Sequence, residues 1–393
     1  MVFRKVVAVL VLCLVIALSE SAIKGNKTAF ARTPRLPELD SVDSTGSQTA
    51  INLIEQVARN SEYVSFEATQ TVIIWHPEGT SACISNIVHK APNLTRTEYL
   101  LSSAAPGEFR TVISDGESIW HYEPSLKVVF QMPDVASDFH DNADAEEFNT
   151  ARDMDLIKAN YEVSLIGTES LAGRQAYVIR LEPRHPGNPS RRIWVDREYP
   201  FILKTEKYRP DGAMSSVSFY NHIEFFPALT DDIFRLDTPP DVVTVELPAS
   251  DNLMPLDELE KEADFAIPVP EFLPPGYVIE GGFLSIYRTF PAAHIRLTDG
   301  LNTISYFVLP RIEKDSRRQD TILSFSDSSG ARVLRWKERG YEFTLVGEVD
   351  ESLLTAMAQT VRFAPQVSRE PQPESFSQYF TKFFYQFFGL IDK

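Results

Sequence analysis

The sequence predicts an α+β protein whose main domain is a strongly curved antiparallel sheet with covering helices, and three observations predict it. Apolar side chains alternate at period two through many short segments from Val64 onward. Tight-turn chemistry separates those segments, with Gly, Pro, Asn and Asp at each break. A stripe at the helical period precedes the first strand, and a second helix interrupts the series.

Taken in order, the N-terminus reads as a secretory signal over residues 1–31. Arg4 and Lys5 precede an apolar run over residues 6–18, which is short of the roughly 18 or more residues a spanning helix needs. Cleavage fits after Ala22 or after Ala31. Residues 32–47, rich in Pro, Ser, Asp and Thr, read as a tether. Helix is expected over 48–59, where Ile51, Ile54 and Val57 form one stripe. Val64, Phe66, Ala68, Val72 and Ile74 then share one face of a long strand.

Further strands are expected near 82–89, 96–101, 109–114, 118–122 and 127–132, divided by turns such as Asp115-Gly116. An acidic insertion at 134–147 leads into a helix over 150–160, whose Asp153 and Asp155 suit the positive end of the helix dipole. Strands resume at 161–167, 174–182, 191–196, 201–208 and 213–223, with Pro210-Asp211-Gly212 as a hairpin turn. These segments make one domain over 48–230. Residues 231–262 are rich in Pro and acid and read as a linker, with a weak helix at 256–262.

A smaller α+β domain follows over 263–364. Its features run in a fixed order: Leu273-Pro274-Pro275-Gly276-Tyr277, then His294-Ile295-Arg296-Leu297-Thr298-Asp299-Gly300-Leu301, then the strand Ile304-Ser305-Tyr306-Phe307-Val308. Tyr341-Glu342-Phe343-Thr344-Leu345-Val346-Gly347-Glu348 comes next, and a helical run closes on Val361-Arg362-Phe363. That order resembles the C-terminal domain of the RseB/MucB family. In the first domain, Gly173 through Leu181, Arg192 through Asp196, Leu203-Lys204 and Asp211-Gly212 resemble the same family's larger domain.

The resemblance implies a half-barrel of the lipoprotein-carrier (LolA-like) type, and a periplasmic sensor that binds partners. In that family both domains hold the exported segment of a membrane-bound anti-sigma factor and shield it from proteolysis. An amphiphile such as lipopolysaccharide or lipoprotein releases it. The linker would serve as a hinge. The alternative is a periplasmic lipid or lipoprotein carrier, which needs only the first domain.

One feature departs from the family pattern. After a Pro-rich stretch at 365–374, Phe376, Phe380, Phe383 and Phe387 recur at spacings of three and four in a terminal amphipathic helix over 375–393. At about 1.5 Å per residue it is shorter than the hydrocarbon core of a bilayer. Packing on its own domains, lying in a membrane interface and filling a partner's groove all suit it.

Composition narrows the function classes. The net charge of −17 disfavours sequence-independent nucleic-acid binding, which needs cations to neutralise phosphates. Signal removal takes Cys13 away and leaves Cys83 alone, so no internal disulfide forms; Cys83 reads as a small core residue. No nucleophile elbow, zinc helix, phosphate loop or dinucleotide fingerprint occurs, and the seven histidines show no ligand-like pairing. The expectation is therefore a binding protein with no catalytic residue, metal or cofactor.

The concave side of a curved sheet is the expected binding surface. Alternation nominates Phe66, Val72, Ile74, Tyr99, Leu101, Trp120, Tyr122 and Tyr177 as lining, without deciding which parity faces inward. Trp194, between Arg192 and Asp196 on its face, suits a rim. Arg184, Arg191 and Arg192 flank a loop and could grip an anionic headgroup or acidic peptide, although nearby carboxylates offer a salt-bridge reading.

Overall fold

The protein is described by a computed structural model. It describes residues 44–363 apart from 77–78, 101–108, 125, 134–150, 239–240, 247–252, 264, 288–289, 311–322 and 327–330. The expected signal sequence, most of the expected tether, the acidic insertion and the terminal Phe-rich segment lie outside the described residues.

Helix α1 (Ser44–Asn60) opens the fold, so the last residues of the expected tether form its first turn. Six strands follow: β1 (Phe66–His76), β2 (Gly79–Lys90), β3 (Leu94–Leu100), β4 (Arg110–Asp115), β5 (Ser118–Glu123) and β6 (Val128–Pro133). After α2 (Ala151–Asn160) come β7 (Tyr161–Leu171), β8 (Arg174–Pro183), β9 (Ser190–Asp196), β10 (Ile202–Tyr208) and β11 (Met214–Phe225). Together with β12 (Val243–Glu246) they form one twelve-stranded sheet in the order β12-β6-β5-β4-β3-β2-β1-β11-β10-β9-β8-β7. Every pairing is antiparallel except β12 with β6.

β1 pairs along its length with both β2 and β11, and the β1–β11 pair joins the two halves of the sheet. Register shifts between Thr69 and Gln70, Ile202 and Lys204, and Leu165 and Gly167 add local bending and twist. The curvature expected from the sequence has this physical origin.

The segment read as a linker is partly built into both sheets. Phe234 is buried at a single 3-10 turn (Asp231–Phe234), and Arg96 donates to the carbonyls of Ile233 and Arg235. β12 then pairs with β6, and Leu259 of α3 (Leu256–Glu262) enters the second core.

That second core belongs to a six-stranded antiparallel sheet with the order β14-β15-β16-β19-β18-β17. Its strands are β14 (Val278–Tyr287), β15 (Phe290–Thr298), β16 (Thr303–Pro310), β17 (Leu323–Ser326), β18 (Arg332–Glu338) and β19 (Tyr341–Gly347). A small pair, β13 (Val269–Pro270) with β20 (Val361–Arg362), brackets the domain. Helix α4 (Glu351–Gln359) starts with Asp350 accepting from the Ser352 amide, an N-cap, and packs Leu354 and Met357 against Trp336 and Phe343.

Candidate functional site

Register decides which side chains share a face, because directly opposed residues in a sheet point the same way. Cys83, Val72, Ser218, Thr205, Ile193, Ile179 and Leu165 form one unbroken transverse row. Ile193 and Ile179 pack under Ile54 and Val57 of α1. The whole row therefore lies on the helix-bearing inner face. The next row outward runs Ser81, Ile74, Ser216, Lys207, Arg191 and Leu181.

This inner face is closed over β7–β9 and more open only where the C-terminal half of β1 pairs with the start of β2 and the start of β11. Ile179, Leu181, Ile193 and Val163 are buried below α1. By contrast Val72, Ile74, Cys83, Ser216, Ser218 and Lys207 are only half-buried, and Ser81 is exposed. An apolar strip edged by hydroxyls and a lysine results. Burial also pushes the Cys83 thiol pKa up, so the thiol stays protonated and apolar.

The second domain closes one end of the face. The turn after β15, Asp299 to Asn302, inserts against β7, β9 and α2. Leu301 joins the core of Ile54, Ile157 and Ile193. Tyr161 donates to Asp299 at 2.5 Å, Asn302 donates to the Tyr161 hydroxyl at 2.7 Å, and Arg191 donates to the Leu301 carbonyl and the Asn302 side chain. Asn160 adds bonds to the carbonyls of Gly276 and Asp299. Burial and the Asp299 carboxylate hold the Tyr161 phenol pKa well above the usual tyrosine range, so it remains a donor. Gly300 has φ +94°, and a Cβ there would lie 2.6 Å from the Asp153 carbonyl oxygen, so only glycine allows this approach.

The far end of the face carries buried polar groups. Arg110 and Glu123 pair at 2.7 Å. His121, opposed by Val112 and Phe130, is buried beside them. Desolvation, with the Arg110 charge helping, lowers its imidazole pKa to about 4 and keeps it neutral.

The residues nominated from sequence divide between the two faces. Phe66, Val72, Ile74, Tyr99 and Tyr177 lie on the inner face, but Phe66 is 1 % exposed and packs on Phe201 and Tyr220 as core. Tyr99 and Tyr177 are half-buried, the latter under Arg197. Trp120 and Tyr122 point to the opposite face, because His121 takes the inward position on β5. Leu101 lies outside the described residues, as do Phe376, Phe380, Phe383 and Phe387.

Trp194 is a correction. It sits on the face opposite α1 yet is 2 % exposed. Lys204 lies 4.1 Å from the ring centroid and the indole donates to Glu169, so cations cover the ring where a rim was expected. The arginine cluster is also dispersed. Arg184 is exposed, Arg191 is buried in the domain junction, and Arg192 faces Glu206 at 3.8 Å. They do not converge on one anion. Among the described residues no group of His, Cys, Asp and Glu could hold a metal ion, and no helix is long and apolar enough to cross a membrane.

Comparison with known proteins places residues 49–229 on the MucB/RseB N-terminal domain. The crystal structure of MucB in complex with MucA(peri) is similar, with a TM-score of 0.55 and 19 % identity over 80 % of this chain and 98 % of that one. The MucA/MucB complex of Pseudomonas aeruginosa gives 0.55 and 18 % over the same shares. At those identities the likeness is one of fold. The uncharacterized protein MJ0687 of Methanocaldococcus jannaschii is 23 % identical over 163 residues, 41 % of this chain. The match covers 45 % of that relative's length.

Proposed function

This chain belongs to the RseB/MucB family, and from that premise we propose that it is a periplasmic envelope-stress sensor. It binds the exported segment of a membrane-bound anti-sigma factor and gives it up when an amphiphilic ligand binds. The observation that carries the reading is the half-buried apolar strip of Val72, Ile74 and Cys83 on β1 and β2, which lies outside the core that α1 and Leu301 cover over β7–β9. Such a strip suits an extended or helical apolar segment and equally an acyl chain, so the two compete for one surface. Competition alone gives release: a ligand displaces the partner to the extent that it prefers the partner-free state.

The second domain favours a sensor over a carrier. Its buried polar junction holds both sheets together, which a carrier has no need of and a two-domain clamp does. The test uses the mature chain and the purified exported segment of a candidate anti-sigma factor. Saturable binding that lipopolysaccharide or a lipoprotein reverses supports the reading. No binding to the segment by the full chain overturns it.

A further inference from the structure

The inner face of a half-barrel is expected to be apolar throughout, and here it is not. Glu123, Arg110, Tyr99, Ser85, Gln70 and Tyr220 stand side by side in one row across five neighbouring strand pairs. Glu123, Ser85, Gln70 and Tyr220 are each at most 5 % exposed. The row on one side runs His121, Val112, Thr97, Ile87 and Ala68, and Cys83 and Val72 stand on the other. His121 adjoins the polar row, 7 % exposed, and neither of its ring nitrogens has a hydrogen-bond partner among the described residues. A buried imidazole left unpaired is costly, so any group that supplies it with a hydrogen bond is favoured there.

We propose that this row, with His121, is a subsite for the uncharged hydrogen-bonding part of an amphiphile, a hydroxyl or amide set in an apolar chain. The inference rests on the amphiphile-release reading above and specifies what the inner face recognises. Charge decides the class. The Arg110 guanidinium is already neutralised by Glu123, and His121 offers one donor and one acceptor in its neutral form. A full negative charge would find no unpaired cation in the row, whereas a hydroxyl or amide satisfies the imidazole directly.

The test compares 1-oleoylglycerol with oleate, two probes sharing one chain and differing in the head. Binding to the mature protein is measured by calorimetry, with the His121 imidazole followed by 15N NMR. The expected result is that 1-oleoylglycerol shifts the His121 nitrogens, and that His121→Phe weakens it about five- to tenfold while leaving oleate unchanged. The NMR arm needs no variant, so it stands even if His121→Phe fails to fold. Oleate binding with no 1-oleoylglycerol effect at His121 overturns the subsite and leaves the amphiphile reading intact. Failure of both probes to bind removes the amphiphile reading and this inference with it.

Discussion

Tyr161 and Asp299 come from the two domains and meet in a buried 2.5 Å hydrogen bond. Asp299 is fully buried and also accepts from the Leu301 and Asn302 amides, so its charge is spread over donors from both domains. A buried carboxylate held this way ties domain arrangement to a few side chains.

Removing the carboxylate should therefore cost more than removing the phenol. Asp299→Ala leaves several buried donors without partners and is expected to destabilise by about 3 kcal/mol or more, against about 1.5–3 kcal/mol for Tyr161→Phe. Urea denaturation of the mature chain measures both. Equal, small effects would show that the junction is not held by this network.

Gly300→Ala tests the approach itself. The added Cβ would meet the Asp153 carbonyl at 2.6 Å and the residue would be held at φ +94°. Small-angle scattering should show an increased radius of gyration with unchanged secondary structure by circular dichroism. An unchanged radius would mean the turn accommodates a methyl group.

Acid should weaken the fold through His121. Its folded pKa is lowered to about 4 by burial, with Arg110 lowering it further and Glu123 opposing, whereas the ordinary value is 6.5. The unfolded chain takes up the proton first as pH falls. This contribution is thus complete above about pH 6.5 and is lost down to about pH 4, amounting to about 3 kcal/mol. His121→Phe should flatten that part of the stability-against-pH curve; an unaltered curve would refute the assignment.

Much of this fold was legible in the sequence, and particular residues show where legibility stopped. Alternation located the strands, and Asp115-Gly116 and Asp211-Gly212 located their turns. Parity was not visible, because Phe66, Val72 and Trp120 all alternate cleanly and only strand register assigns them to faces. Trp194 misled because its polar neighbours read as solvent when they are its cover. Asp299-Gly300-Leu301 stood out as a motif, but its role as a junction depends on residues about 110 and 138 positions away. An apolar Leu at a turn tip was the one available signal.

Ile74→Lys probes the open strip. Ile74 is half-buried on the inner face, so stability should change by no more than about 1 kcal/mol. Affinity for the anti-sigma segment should fall at least about tenfold, equivalent to about 1.4 kcal/mol. Calorimetric titration measures the fall, and thermal melting checks the fold. Full affinity in a folded variant would move the docking site elsewhere.

The most direct test of the strip as the docking surface uses Cys83, which is opposed to Val72 on it and is the only free thiol among the described residues. A benzophenone attached to this thiol in the mature protein should, on illumination, link covalently to the exported segment of the anti-sigma factor. An amphiphile added beforehand should abolish the link. Binding of the segment at full affinity with no link from Cys83 would contradict the account.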